Sequence, residues 1–128
     1  VIDYLGLMDL PAAENHNLRM TAASRQLKLL ARELNIPILC ALQLNRGLES
    51  RPNKRPHLGD LRDSGSLEQD GDLVAFLYRD VVYNPDTKNP EGAELIVSKQ
   101  RNGPTGTIYL HWSGKFTRFS SVYEGRAA

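Results

Sequence analysis

Two short apolar runs with a helix-period stretch between them constrain this chain more than any other feature. Val1-Ile2 closes on Asp3, as a buried strand does when it reaches the edge of a sheet. Between residues 18 and 34 the period turns helical: Ala23, Leu27, Leu30 and Leu34 share one face, and Arg25, Lys28 and Arg32 lie off it. Asn17 is the expected cap and Asn35 the expected stop, with Pro37 just beyond. Residues 37–42 then form a continuous apolar run of strand length. Strand, helix, strand is a βαβ unit, which requires parallel strands and a right-handed crossover. The expected fold class is therefore α/β, with a mainly parallel sheet, flanking helices and, from the later sequence, a C-terminal antiparallel hairpin. The chain opens in mid-strand, with no initiating methionine, cap or leader, so it is expected to be a fragment of a longer polypeptide.

Open α/β sheets bind ligands at the carboxyl ends of their strands. Two residues fall there. Asp3 is a hard oxygen donor, suited to a metal that accompanies a nucleotide, or equally to capping a nearby helix. Gln43 comes after the 37–42 run and stands beside Asp3 if the two strands are neighbours. A neutral amide there can sense a phosphate without adding charge; the alternative is an ordinary surface glutamine.

The next apolar run, residues 73–78, is expected to be a buried strand. Between it and the 37–42 run lies a long polar excursion, too polar for a core and short of metal-ligating cysteine or histidine. Its first part, residues 46–56, is basic and holds two prolines, so irregular, mobile chain is expected. Its second part, residues 57–72, turns at Ser64-Gly65-Ser66, where either serine can cap a short helix. Backbone amides at such a start, with Arg62 alongside, suit a nucleic-acid phosphate and carry no sequence information. A solvated loop leading to a short helix is the plainer reading.

After a surface turn at residues 84–92, alternating residues 93–98 read as a half-buried strand. Lys99 and Arg101 come next, two apart and so on one side if the strand continues, before the tight-turn pair Asn102-Gly103. They make either a phosphate clamp or a solvated basic tip. Residues 107–112 and 116–119 form the antiparallel hairpin around Ser113-Gly114-Lys115, with Trp112 and Phe119 as packing residues.

Charge supports the phosphate readings. The 128 residues carry a net charge of only +1, yet residues 46–62 hold five basic side chains against Glu49 and Asp60, and residues 99–118 hold four with no acid. Local anion sites fit this better than a wholly basic surface. The single cysteine, Cys40, excludes an internal disulfide framework and suits a reducing compartment. No apolar run approaches the ~20 residues of a membrane helix.

Three ordered stretches carry a resemblance: Val1-Ile2-Asp3-Tyr4-Leu5-Gly6-Leu7-Met8, Gln43-Leu44-Asn45-Arg46 through Leu61-Arg62-Asp63-Ser64-Gly65-Ser66-Leu67-Glu68-Gln69-Asp70, and Ser98-Lys99-Gln100-Arg101-Asn102-Gly103-Pro104-Thr105-Gly106. With the ending Lys115-Phe116-Thr117-Arg118-Phe119, they resemble the DnaB family of replicative DNA helicases over essentially the whole chain. The resemblance implies residues 1–121 as the C-terminal portion of a RecA-like motor, with 122–128 as a tail. It implies ATP and Mg²⁺ as cofactors and single-stranded DNA as partner. It also implies a homohexameric ring, primase and a helicase loader as associates, and a cytoplasmic, bacterial replisome setting. Asp3 matches the Walker B aspartate that helps hold the metal, and Gln43 the nucleotide sensor. Arg62, Asp63 and Gly65 match the channel-facing DNA loop. Lys99 and Arg101 match the cations that reach the γ-phosphate of the neighbouring subunit, so that Asp3, Gln43 and Arg101 would be the catalytic set.

Leu42 stands where the family often has serine. The Gly-rich phosphate loop with its lysine and Ser/Thr is absent from these residues, as is the family's catalytic glutamate. The chain by itself is therefore expected neither to bind ATP tightly nor to hydrolyse it. The alternatives are another RecA-like ATPase or a non-catalytic single-strand-binding module.

Overall fold

A computed structural model of the chain describes residues 1–8, 14–64 and 66–122, with no side-chain description for residues 7, 62–64 and 66. The chain forms two compact units: Val1–Arg51 with His57–Asp72, and Pro52–Pro56 with Leu73–Ala128.

The first unit is built on α1, His16–Leu34. Its cap is Asn15 rather than the expected Asn17: the Asn15 side chain accepts a hydrogen bond from Leu18 N at 2.9 Å. Asn35 ends the helix as expected. It takes the left-handed conformation (φ 51, ψ 46), and Ile36 N donates to Ala31 O at 3.0 Å, closing the last turn. The buried face differs from the predicted stripe. Met20, Ala23 and Ser24 are buried, and Leu27 packs beside them, whereas Leu30 and Leu34 are exposed. The N-terminal half of the helix meets fully buried Leu5, with Cys40, Leu42 and Leu67 at the margin of that core, and the C-terminal half extends past it.

The mainly parallel sheet is not what forms among the described residues. Parallel pairing there is limited to one bridge, Ile2 with Cys40, held by Ile2 N to Leu39 O and Ala41 N to Ile2 O, both 2.8 Å. The polar Asp3 ends the first run after two residues, too few to propagate a ladder. Residues 46–56 are also more regular than expected: Arg46–Ser50 is a 3₁₀ turn capped by Asn45, whose side chain accepts from Gly47 N at 3.1 Å, and Leu48 is buried. A second 3₁₀ segment, Leu58–Ser64, leads to α2, Ser66–Asp70.

The second unit is a four-stranded sheet in the order β1 (Leu73–Tyr78), β2 (Gly92–Gln100), β3 (Gly106–Ser113) and β4 (Arg118–Ser121). Every neighbouring pair is antiparallel. The expected C-terminal hairpin is β3–β4, with Trp112 opposite Phe119 and their rings 4.6 Å apart. β1 is an edge strand with Phe76 and Tyr78 buried and Leu73 and Leu77 half exposed, so it alternates rather than being buried on both faces. Antiparallel order results from the short returns between β2, β3 and β4, which cannot carry the crossover that parallel neighbours need.

Candidate nucleotide and DNA-binding site

The single parallel bridge fixes where the first two candidates sit. Because Ile2 and Cys40 run in the same direction, Asp3 and Gln43 both lie just past the paired residues, at the carboxyl ends of adjacent segments. Leu5 N also donates to Ala41 O at 3.1 Å, so the backbone stays registered through this region. Both side chains are exposed. A lone exposed carboxylate fits Mg²⁺, which keeps most of its waters and takes one or two protein oxygens together with phosphate oxygens. Among the described residues no group of three or more His, Cys, Asp or Glu is assembled to hold a metal without a phosphate partner.

The candidate DNA loop is fastened at its start. Asp60 Oδ2 accepts from Arg51 Nη2 and from the His57 backbone amide, both at 2.9 Å, while Arg51 Nη1 meets His57 Nε2. Burial works against the ionisation of Asp60, but these donors outweigh it and hold its carboxyl below the usual carboxylate range. Asp60 is followed by buried Leu61 and then by Arg62 and Asp63, whose backbone continues the 3₁₀ segment. Gly65 lies outside the described residues. At the far end, Ser24 Oγ donates to Asp70 Oδ2 at 2.7 Å, and Lys28 pairs with Asp72.

Lys99 and Arg101 belong to the second unit. Lys99 sits on β2 opposite Val74 and is half buried; Arg101 is exposed in the turn just past Gln100, the last residue of the strand. The expectation that both ride one strand is therefore corrected: β2 ends between them. The register also shifts here. Val74 faces Lys99 but Ala75 faces Val97, so Ser98 is an inserted residue, a bulge that changes the direction of the strand beyond it.

Two further clusters went unrecognised in the sequence. Arg55 grips Glu94 with a two-pronged contact (2.9 and 2.7 Å) and lies 4.7 Å over the Tyr78 ring. Tyr78 in turn donates to Asp80 at 2.8 Å. Burial and that carboxylate push the Tyr78 hydroxyl up to about 12. Arg79 stacks on the Trp112 ring at 4.5 Å. Only the run of basic residues at 51–55 hinted at the first cluster, and nothing in the sequence announced the second.

The C-terminal-domain family model of DnaB-like helicases matches residues 1–121. The chain belongs to the DnaB-like helicase C-terminal domain family. It is 50% identical over 127 residues to the replicative DNA helicase DnaB of Haemophilus influenzae, covering 98% of this chain and 27% of that protein. It is 48% identical over 124 residues to that of Geobacillus stearothermophilus, again 27% of the relative. This DnaB-like domain thus spans about a quarter of the length of those relatives. Among solved structures, an ATPase domain matches with a TM-score of 0.90 and 40% identity over 94% of this chain and 43% of that one. A DnaB-like replicative helicase studied for its interactions with primase matches with the same score and identity, over 30% of its length.

Proposed function

We propose that this DnaB-like chain is the C-terminal portion of the motor of an ATP-dependent replicative DNA helicase. The observation that carries the proposal is the Ile2–Cys40 bridge, which sets Asp3 and Gln43 at neighbouring strand ends within a chain of this family. In this reading Asp3 offers a carboxylate to the Mg²⁺ of a bound ATP. Gln43 hydrogen-bonds to the nucleotide and reports its state. Arg62, Asp63 and Gly65 hold the phosphates of single-stranded DNA. Lys99 and Arg101 act on the γ-phosphate held by the adjacent subunit of a hexameric ring. A cation so placed neutralises charge developing in phosphoryl transfer, an effect on the order of 10³–10⁵ in rate in comparable enzymes. Exposure of Arg101 beyond the end of β2 supports a role that needs reach. Primase and a loader are the expected further partners, and the bacterial cytoplasm the setting.

These 128 residues hold no Gly-rich loop ending in Lys-Ser/Thr, so they contribute half of the chemistry and no cradle for the triphosphate. The purified chain is expected to show no magnesium-dependent ATPase; a clear one would refute this part. The central test is Arg101→Ala in the intact protein. ATP binding should persist while turnover falls by at least about a hundredfold, and wild-type subunits mixed into the ring should restore activity only at interfaces where they supply the arginine. Undiminished turnover would remove Arg101 from the mechanism.

A further inference from the structure

The bulge beside Lys99 decides more than the direction of its strand. Residues directly opposite each other in an antiparallel pair project from the same face of the sheet, and faces alternate along each strand. Phe76 lies opposite Ile96 and Tyr78 opposite Glu94, and both Phe76 and Tyr78 are buried; these residues mark one face. Ala75 lies opposite Val97 and Leu77 opposite Leu95 on the other face, which also carries Leu73; Leu73 and Leu77 are each 54% exposed. Counted on from Val97, plain alternation sends Lys99 to this second face, opposite Leu73. The observed register does otherwise. Ser98 is taken up as the extra residue, so Lys99 lies opposite Val74 and Gln100 opposite Leu73. Val74 is two residues before Phe76 and shares its face, and Lys99 therefore leaves the sheet on the side of Phe76 and Tyr78. The last pair of β2 with β3 is Val97 with Gly106, so among the described residues it is β1 alone that registers residues 98–100.

A slip of one residue carries every side chain beyond it to the opposite face. For a half-buried lysine this decides on which side of the sheet its ammonium emerges. We infer that the Ser98 bulge is a parity device: it reverses the face that alternation gives Lys99, and Lys99 acts on the neighbouring subunit's γ-phosphate from the Phe76–Tyr78 face. Ser98 is a positioning residue and touches no nucleotide in this assignment. The inference rests on the γ-phosphate role proposed above for Lys99.

The test uses the full-length protein and ladders from which the bulge has been removed in different ways. Deleting Ser98 leaves Lys99 opposite Val74, on its original face. Inserting one alanine between Val74 and Ala75 gives Ser98 a partner instead, which straightens the ladder and turns Lys99 to the other face. Combining the two changes returns Lys99 to its original face and level. Lys99→Ala should lower kcat by at least about tenfold while the Kd for ATP is kept. The insertion should lower kcat to the same level, again with the Kd for ATP kept, and adding Lys99→Ala to it should cost less than about twofold more. The deletion, alone or combined with the insertion, should keep kcat within about threefold of the parent. A chain that the insertion had merely unfolded, or disturbed upstream of β1, would not be rescued by a deletion in the facing strand. If Lys99→Ala leaves kcat unchanged, the γ-phosphate role of Lys99 fails and this inference with it. If Lys99→Ala lowers kcat but the insertion does not, or the deletion alone lowers it as far, or the deletion fails to rescue the insertion, the parity role is overturned and that of Lys99 stands.

Discussion

A carboxylate that keeps its proton off more readily in the folded chain than outside it lends stability across the range where biology operates. Asp60 is such a group. Its folded pKa is depressed, so its contribution is complete above the ordinary carboxylate value of about 4 and disappears only as the pH falls through the lower folded value. Stability against denaturant, as far as Asp60 governs it, should therefore be level between about pH 5 and 8. A fall centred near neutrality would mean that a group other than Asp60 sets it. Tyr78 has the opposite sign. Its proton is held more tightly in the folded chain, so its contribution is complete below about 10 and is lost as the pH rises through about 12. Tyr78→Phe should delete the last step of an alkaline tyrosinate titration, and if that step survives, another tyrosine carries it. Ser24 makes the third case. Removing its hydroxyl leaves Asp70 without that donor, a change that typically costs about 1–3 kcal/mol when the abandoned group is buried, less here because Asp70 is only half buried.

At the scale of elements, α1 depends on its ends. Asn15 satisfies Leu18 N, and Asn35 adopts a backbone conformation that costs most side chains on the order of 1 kcal/mol or more. Asn35→Ala should speed amide exchange at residues 35 and 36 by about fivefold, corresponding to ~1 kcal/mol, while Asn35→Gly should leave it near the parent's rate. Equal exchange in all three would show that the end is held by something other than its dihedral angles. The sheet of the second unit has a comparable fastening in the Arg55–Glu94 fork, with Arg55 also over Tyr78. Arg55→Lys would keep the charge but lose the paired geometry, and the Tyr78 titration is the sensitive gauge of that loss. The bulge at Ser98 belongs to this scale too. It was invisible in the alternation of residues 93–98, because an inserted residue changes the partner across the sheet and not the local pattern.

On the scale of the whole molecule, the chain falls into two units, and the candidate groups divide between them: Asp3, Gln43 and Arg62 in the first, Lys99 and Arg101 in the second. Family membership extends across both, from residue 1 to residue 121. A ring in which one subunit's arginine serves its neighbour's nucleotide would have a consequence for mixtures. An Arg101→Ala subunit idles its neighbour's site and an Asp3→Asn subunit its own, so in the full-length protein a mixture of these two inactive variants should recover part of the activity, at interfaces that pair an intact Asp3 with an intact Arg101. No recovery would mean that each subunit works alone.

Local sequence settled much of this. The periodicity of residues 18–34 determined α1, because burial on one face of a 3.6-residue repeat is a property of consecutive side chains. The β3–β4 hairpin and the stop at Asn35 were likewise local matters of turn chemistry. The ordered motifs carried the family, since they are strings of neighbours. Which half of α1 is buried was decided by where Leu5, Cys40, Leu42 and Leu67 come to meet it, residues that its own periodicity does not contain. The pairing of β1 with β2, the bulge beside Lys99, and the reach of Arg51 to Asp60 and of Ser24 to Asp70 were tertiary decisions as well. Each depends on groups far apart in sequence satisfying one another's charge or hydrogen bonds, and no stretch of neighbours encodes such a partner.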